Sequence, residues 1–377
     1  MKHLRKKTGL LLLECGKVFH GDLFGDNSKV GVGEVVFNTS LTGYQEIFTD
    51  PSYAGQIVTM TNPLIGNTGI NHEDVESKGI FAGGFIVHEL SSIASNWRSK
   101  KNLDDYLKEA GVIGISELDT RELTAYLRDK GAKVGVIASV DTPKEELEKH
   151  IKAYGSLEGK NLAKEVSTKE EYSWNKELFS FDKSEQEKDK VFNVAVYDLG
   201  VKESILRNLS SAGCNVTVFP ITTPPEKLLP FDGIFISNGP GDPAAVIEMQ
   251  SSLKEIIGKK PVFGICLGHQ ILSIFFGAKT YKMKFGHHGG NQPVKNLKRI
   301  EIEITAQNHS FAVDNDSLPE TLELTHLNLN DNTVEGFRHK ELPVFSVQYH
   351  PESSPGPHDS AYLFEEFTCL MKAHYEN

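Results

Sequence analysis

A cysteine, a histidine and a glutamate in the C-terminal half of the chain are spaced in a way that suits acyl transfer. The stretch "GICLG" (264–268) has the form Gly-x-nucleophile-x-Gly, which predicts Cys266 on a tight turn between a strand and a helix. The N-terminus of such a helix favours a thiolate. Free cysteine is nevertheless among the residues most often buried as a small apolar side chain, so a catalytic interpretation needs support from elsewhere in the chain.

That support comes from "VFSVQYHPES", where a strand-like run leads to His350, Pro351 and Glu352. The proline biases His350 towards an extended conformation, in which residues two apart project to the same side. The carboxylate of Glu352 can therefore hold one imidazole nitrogen while the other faces a thiol, which is the arrangement a cysteine nucleophile requires. The alternative interpretation is a solvated histidine and glutamate in a loop.

A third stretch, "SNGPGDP" (237–243), also follows a strand-like run. Glycine permits close approach of the main chain to a ligand, so Gly239 and Gly241 are candidates for a substrate loop. Amides of this loop, with that of Leu267, are suited to binding the oxyanion of a tetrahedral intermediate. A simple turn is the alternative.

The elements that must position these residues alternate regularly after residue 190. The runs "VFNVAVYD", "NVTVFP", "GIFIS" and "PVFGI" are typical of buried strands, and "VKESILRNLSSAG" is typical of an amphipathic helix. This alternation predicts an α/β domain over 191–377 with a doubly wound, mostly parallel sheet. Sites in such sheets form beyond the carboxyl ends of the strands, where all three stretches fall.

The N-terminal half has a different pattern. Apolar runs separated by Gly, Asn, Asp and Pro predict a β-rich, mixed α/β domain over 1–155. Its clearest helix is "LDTRELTAYLRDKG", with a cap formed by Asp119 and Glu122 and an end at Gly131. A charged stretch, 156–190, which contains "KSEQEKDK", predicts a solvated linker between the two domains.

Composition narrows the possible partners. The chain has 377 residues and a net charge of -11, which argues against nucleic-acid binding because phosphates require clustered cations. Four scattered cysteines without a C-x-x-C pair suit a reducing compartment. The N-terminal run at Leu10–Leu13 is too short for a secretory signal and predicts a strand, and no other run approaches a membrane span. We therefore expect a cytoplasmic protein.

Together "GICLGHQ", "SNGPGDP" and "HPE" resemble the triad-type, or class I, glutamine amidotransferase domain. In the first half, "GEVVFNTSLTGYQEIFTDPSYAGQIVTMTNPLIGNTG" and "LDTRELT" resemble the small-chain family of carbamoyl-phosphate synthase. The stretches "TAQNHSFAVD", "KFGHHGGNQPVKN" and "SPGPHD" do so in the second half. The resemblance extends from about Thr8 to Tyr375.

The resemblance implies a glutaminase subunit that hydrolyses L-glutamine to glutamate and ammonia. It implies a heterodimer with a large synthetase subunit, which uses ATP, Mg and bicarbonate to make carbamoyl phosphate for arginine and pyrimidine biosynthesis. No cofactor or metal is expected on this chain. In agreement, the sequence contains no phosphate-binding G-x-x-x-x-G-K-[ST] motif.

The resemblance also assigns roles to residues. Cys266 would be the nucleophile, His350 the general acid/base and Glu352 its orienting carboxylate. The implied glutamine-binding positions are Ser52, Gly239, Gly241, Leu267, Gln270, Asn308, Ser310 and Phe311. Many relatives have glycine at the position of Ser310, and some have glycine at that of Tyr349.

Other interpretations remain open at this point. The chain could be a regulatory subunit that keeps the fold without catalysis, or a subunit for a different synthetase. An α/β-hydrolase is disfavoured because its acid precedes the histidine in the chain, whereas Glu352 follows His350. The pair His287 and His288 lacks a partner at metal-ligand spacing, and the basic stretch 279–299 is either a solvated face or a docking surface.

Overall fold

A computed structural model of the chain describes residues 7–178 and 191–376. Its contacts divide the chain into two compact units. Unit 1 comprises the chain up to Leu157 together with 284–288, and unit 2 comprises the rest. No helix in the described part of the chain is long and apolar enough to cross a membrane.

Unit 1 is built mainly from short strands. Its strands are β1 (Gly9–Leu13), β2 (Val18–Gly25), β3 (Gly31–Asn38), β4 (Gln56–Met60), β5 (Leu64–Ile65), β6 (Gly84–Ile86), β7 (Glu89–Leu90), β8 (Ile113–Ser116) and β9 (Lys133–Ser139). Its helices are α1 (Tyr44–Thr49), α2 (Leu103–Glu109), α3 (Thr120–Lys130) and α4 (Lys144–Tyr154).

Seven of these strands form a closed barrel in the order β1-β2-β8-β6-β4-β3-β9. The run at Leu10–Leu13 lies in β1, which pairs with β2 and β9, so the predicted strand is confirmed. The three consecutive pairs β3–β4, β4–β6 and β6–β8 are parallel, and the other four pairs of the barrel are antiparallel, so the sheet is mixed. The predicted β-rich domain is therefore confirmed, and its closure leaves no free edge in the barrel.

Helix α3 begins and ends where the sequence predicts. The side chain of Asp119 accepts a hydrogen bond from the amide of Glu122 at 2.8 Å, and Gly131 ends the helix with a φ of 85°. Leu123 and Leu127 are fully buried on one face. Capping and apolar spacing thus determine this helix.

Unit 2 contains the longer sheet. Its strands are β10 (Tyr172–Trp174), β11 (Phe192–Asp198), β12 (Cys214–Pro220), β13 (Gly233–Ile236), β14 (Val262–Ile265), β15 (Thr280–Asn296), β16 (Glu301–Val313), β17 (Leu322–Asn328), β18 (Val334–His339) and β19 (Val344–Val347). Its helices are α5 (Ala163–Val166), α6 (Glu203–Ser211), α7 (Ile247–Ile256), α8 (Leu267–Phe275) and α9 (Tyr362–Glu376).

The sheet of unit 2 has ten strands in the order β10-β12-β11-β13-β14-β19-β18-β17-β15-β16. The five strands from β12 to β19 are mutually parallel. One apolar core contains side chains of α6 and α9, and the other contains side chains of α7 and α8. Helices thus cover both faces, which confirms the predicted doubly wound, mostly parallel fold.

Part of the predicted linker is folded. Residues 158–178 belong to unit 2 and include β10, which pairs antiparallel with β12 through Tyr172 and Val218. Tyr172 and Trp174 pack against the core of unit 2, because alternate residues of this charged stretch are aromatic. The remainder, 179–190, which contains "KSEQEKDK", lies outside the described residues.

The centre of unit 2 is an aromatic cluster around Phe263 of β14. Its ring stacks on Phe345 with centroids 4.3 Å apart and meets the edges or tilted faces of Phe235, Phe364 and Phe367 within 6.1 Å. Phe263 is fully buried. This packing connects β14 with β19 and α9, so it supports the two strands that lead to the candidate catalytic residues.

We expect Phe263→Ala to destabilise the protein by about 3–5 kcal/mol, because it leaves a cavity among these four rings. The measurement is the denaturant midpoint of unfolding. Ile247→Ala, at a side chain that is 72% exposed, is the matched control and should change stability by less than about 0.5 kcal/mol. Equal effects of the two substitutions would contradict the described core.

Candidate active site

Cys266 lies on the turn between β14 and α8, with a φ of 53° and a ψ of -104°. A non-glycine residue in such a conformation costs about 1–3 kcal/mol and persists only where its surroundings impose it. Here the amide of Cys266 donates to the carbonyl of Val347 at 2.9 Å, which ties the turn to β19. The turn presents the buried thiol at the carboxyl end of the sheet.

The glycines on either side of Cys266 lie in tightly packed surroundings. A Cβ on Gly268 would lie 2.2 Å from the carbonyl oxygen of Ile236, and one on Gly264 would lie 2.7 Å from Leu272. The main-chain contact at Gly268 is too short for any Cβ, so this position requires glycine, whereas a Cβ on Gly264 would need the Leu272 side chain to shift and would also lie 3.0 Å from the main chain of Gly268. This explains the Gly-x-Cys-x-Gly pattern physically.

His350 follows β19 and is buried beside the thiol. Its Nδ1 hydrogen-bonds to Oε1 of Glu352 at 2.8 Å, and its main-chain amide donates to the carbonyl of Ala306 at 2.8 Å. Nε2 makes no hydrogen bond of acceptable geometry within the described part of the chain. The structure therefore brings Cys266, His350 and Glu352 together, with Glu352 on the side of the ring that the sequence predicts.

Lys202, which no sequence pattern predicted as a functional residue, completes this charged cluster. Its Nζ donates to Oε1 of Glu352 at 2.8 Å and to the carbonyl of Ser354 at 2.6 Å. The side chains of Lys202 and Glu352 are only 4% and 0% exposed. Its position in the sequence could have indicated this, because Lys202 follows β11 and so lies at the same edge of the sheet as Cys266 and His350.

The charges in the cluster shift the pKa values of its members. Burial lowers the pKa of His350, but the charge of Glu352 and the interaction with the Cys266 thiol outweigh burial and raise it above its usual value. Burial raises the pKa of Glu352, but the charges of Lys202 and His350 outweigh it and lower the pKa. The favoured state is an imidazolium between a thiol or thiolate and a carboxylate.

The loop 237–243 lies beside this turn. A Cβ on Gly239 would lie 2.1 Å from the carbonyl of Leu199 and 3.0 Å from the Leu267 side chain. Gly241 has a φ of 95°, and a Cβ there would lie 2.6 Å from the carbonyl of Lys160. Both glycines are therefore required by close packing, and the loop's main chain approaches the N-terminal turn of α8.

Residues of β16 form another wall around the thiol. The thiol of Cys266 lies 3.5 Å from the carbonyl oxygen of Asn308. The side-chain Nε2 of Gln270 donates to the carbonyl of Phe311 at 2.6 Å and to Oε1 of Gln348 at 2.9 Å. These two acceptors fix the orientation of the Gln270 amide. Ser310 is buried on the same strand, at 8% exposure.

Ser52 belongs to unit 1. It lies in the short 3-10 helix Pro51–Tyr53, where its amide donates to the capping side chain of Asp50 at 2.8 Å. Its side chain is buried. Its predicted part in glutamine binding stays a prediction.

Comparison with known proteins identifies both halves of the chain. The family model "Glutamine amidotransferase class-I" matches residues 195–370, and the model "Carbamoyl-phosphate synthase small chain, CPSase domain" matches residues 11–137. A carbamoyl phosphate synthase small chain from Aquifex aeolicus is 54% identical over 374 residues, covering 97% of this chain and 100% of that one. The chain belongs to the carbamoyl phosphate synthase small chain family.

Further relatives of the same description cover both chains almost completely. The carbamoyl phosphate synthase small chain of Syntrophotalea carbinolica is 52% identical over 367 residues, covering 96% of this chain and 97% of its own length. That of Chlorobaculum tepidum is 52% identical over 374 residues, covering 98% and 99%. The predicted family is thus confirmed, and the chain is an enzyme of the class-I glutamine amidotransferase type.

We expect Lys202→Met to cost about 3–5 kcal/mol of unfolding free energy at neutral pH, because it leaves the buried Glu352 carboxylate without its cation. Lys227→Met, which removes an exposed ion pair with Glu171, is the matched control and should cost less than about 1 kcal/mol.

The pH dependence of this difference has a defined sign. The pKa of Glu352 is lowered on folding, so its stabilisation is complete above the unfolded-state value of about 4.3. It is lost as the pH falls towards the folded-state pKa of about 2. The difference in unfolding free energy between wild type and Lys202→Met should therefore become smaller when the pH is lowered below the unfolded-state pKa of Glu352. Denaturant titrations at a series of pH values measure it. A difference that grows on acidification would contradict the cluster.

Proposed function

We propose that this chain is the glutamine-hydrolysing subunit of a carbamoyl-phosphate synthase. It binds L-glutamine, releases glutamate and passes ammonia to a large synthetase subunit, which uses ATP, Mg and bicarbonate. Family membership supports this assignment. The observation that carries it is the buried His350–Glu352–Lys202 cluster beside a cysteine on a strained turn.

In the proposed first step, the Cys266 thiolate attacks the side-chain amide carbon of glutamine. The raised pKa of His350 supports this step, because it keeps the imidazole protonated and able to pair with a thiolate. As the tetrahedral intermediate collapses, His350 gives its proton to the leaving nitrogen. The carbon–nitrogen bond breaks, ammonia leaves and a γ-glutamyl thioester remains on Cys266.

The developing oxyanion needs hydrogen-bond donors near the reacting carbon. The amide of Gly268 is already used, since it donates to the carbonyl of Ser237 at 3.1 Å. We propose the amides of Leu267 and Gly239 instead. Leu267 is the first residue of α8, where the amide has no acceptor within the helix, and Gly239 lies against its side chain.

The second step hydrolyses the thioester. Neutral His350 accepts a proton from water as the hydroxide attacks the acyl carbon, and Cys266 leaves as the thiolate. Glu352 keeps the imidazole in the orientation that exposes Nε2 throughout, and Lys202 keeps Glu352 ionised. These steps use no metal or cofactor on this chain.

Glutamine is proposed to lie between the loop 237–243, the start of α8 and the β16 segment 308–311. Gln270 supports this placement. Because its Nε2 is fixed by the carbonyl of Phe311 and by Gln348, its Oε1 is left to accept from a donor of the substrate. Ser310 carries a buried side chain where many relatives have glycine, so contact there through the main chain is compatible with serine.

A regulatory chain without catalysis is the competing assignment. It gives no reason for a buried lysine, carboxylate and histidine to converge on one strained cysteine, because apolar residues of similar volume would often stabilise the interior as well as or better than such an ionic cluster. The glutaminase assignment does give a reason. The order of the chain, with the carboxylate two residues after the histidine, also differs from that of α/β-hydrolases.

We expect Cys266→Ser to abolish glutamine-dependent carbamoyl phosphate synthesis by the complex with a large subunit, with ammonia-dependent synthesis retained. The reason is that the thioester step is lost while the synthetase chemistry is untouched. His350→Asn should behave similarly. The measurements are glutamate release and carbamoyl phosphate formation with each nitrogen source.

Three matched controls use the other cysteines of the chain. Cys15→Ser, Cys214→Ser and Cys369→Ser should keep turnover close to wild type, since none of them lies in the cluster around His350. Normal use of glutamine by Cys266→Ser would show that the nucleophile is assigned wrongly. Loss of ammonia-dependent synthesis in that variant would show damage beyond the glutaminase step.

A further inference from the structure

We propose that Tyr349 is a positioning residue whose hydroxyl, anchored on the buried carboxylate of Glu303, fixes the main chain that carries His350. This inference rests on the proposed function, because it concerns the placement of the proposed acid/base. It goes beyond that function, because neither Tyr349 nor Glu303 touches the reacting groups. In the sequence, Tyr349 stands out only as a tyrosine where some relatives have glycine.

Tyr349 is fully buried, and its hydroxyl donates to Oε2 of Glu303 at 3.1 Å. Its ring meets that of His326 nearly edge-on, with centroids 5.6 Å apart and an angle of 76°. The carboxylates of Glu303 and Glu335 and the hydroxyl of Tyr362 are the ionisable groups that act on it electrostatically. A buried phenol beside a carboxylate is held in one orientation by that bond.

Glu303 is itself fixed by other neutral donors. Its Oε1 accepts from Nδ2 of Asn296 and from the hydroxyl of Tyr362, both at 2.9 Å, and its side chain is only 3% exposed. Within the described residues no lysine or arginine nitrogen lies within 4.0 Å of its carboxylate oxygens, and Nε2 of His326 is at that limit. Burial and the charge of Arg299 lower the pKa of His326, so hydrogen bonds rather than an ion pair hold this carboxylate.

The strand that carries Glu303 also holds His350 directly. Ala306 of β16 accepts the main-chain amide of His350 at 2.8 Å, three residues after Glu303. Tyr349 and His350 are therefore attached to one strand at two points, one through a side chain and one through the main chain. Two attachments restrict rotation of this dipeptide, whereas one allows it to pivot.

This restriction matters for the direction of Nε2. Glu352 holds only Nδ1 of the His350 ring, so the distance from Nε2 to the Cys266 thiol depends on where the main chain places the ring. Small displacements of a catalytic group reduce the rate strongly. A phenylalanine at 349 would keep the packing of the ring and lose only the hydrogen bond to Glu303, so this substitution separates the role of the hydroxyl from packing.

The test compares Tyr349→Phe with Tyr362→Phe in the complex with a large subunit. Each substitution removes one hydroxyl from the same carboxylate, but only Tyr349 is bonded to His350 through the chain. We expect similar losses of Tm. Tyr349→Phe should lower kcat for glutamate release by about tenfold, with KM for glutamine within about twofold, and move the basic limb of the pH profile to lower pH.

The direction of that shift follows from the groups around His350. Glu352 and Cys266 are the ionisable groups that favour its protonated form. A ring that has moved away from them loses part of this stabilisation, so it deprotonates at lower pH. Tyr362→Phe should leave the pH profile unchanged. An equal shift of the pH profile in both variants would show that Tyr349 has a structural role and not a positioning role.

A second readout does not depend on glutamine hydrolysis. The rate at which iodoacetamide alkylates Cys266, followed by mass spectrometry of its peptide across pH, reports the thiolate–imidazolium pair. We expect its profile to shift in Tyr349→Phe and not in Tyr362→Phe. If the alkylation profile is shifted in Tyr349→Phe but the wild-type protein releases no glutamate, the proposed function is wrong and the positioning role of Tyr349 is still supported.

A double substitution identifies the anchor. If Glu303 acts through Tyr349, Glu303→Gln combined with Tyr349→Phe should lower kcat no further than the more damaging single substitution. If the reductions of kcat by the two single substitutions multiply in the double variant, Glu303 is not the anchor. The inference as a whole would be overturned if Tyr349→Phe had the same kcat, pH profile and alkylation profile as wild type.

Discussion

The carboxylate of Glu352 can remain ionised in the protein interior only if positive groups surround it. Moving such a charge out of water costs several kcal/mol even after the protein relaxes, so each partner must be present and well placed. Lys202 and His350 are those partners, and both are themselves buried. The rest of unit 2 can be understood as the framework that makes two distant segments of the chain deliver these charges to one point.

The parallel sheet provides that framework. Lys202 follows β11, the loop 237–243 follows β13, Cys266 follows β14 and His350 follows β19, and these four strands are consecutive in the sheet. Because parallel strands all end at the same edge, groups up to 150 residues apart in the chain meet there. Antiparallel strands beyond β19 contribute differently, since β16 supports His350 from the side through Ala306 and, by our inference, through Glu303.

Much of this arrangement is predictable from the sequence, and the exceptions share a physical cause. Strand–helix alternation, the capped helix α3 and the turn at Cys266 follow from local patterns and glycine requirements. Lys202 was missed because a lysine at the start of an amphipathic helix is indistinguishable from a solvated one until the fold places Glu352 beside it. Tyr349 follows β19 whereas Glu303 lies in β16, and β10 is a short aromatic alternation within a charged stretch. In each case a long-range contact, rather than a local pattern, determines the role.

The backbone conformation of Cys266 also limits which side chains can occupy its position during evolution. At a φ of 53°, an unbranched Cβ is tolerated at a cost, whereas a side chain branched at Cβ adds a second clash with the main chain. Serine is therefore a sterically acceptable replacement, and threonine is not. A lineage that exchanged sulfur for oxygen at this turn would have only one hydroxyl residue available to it.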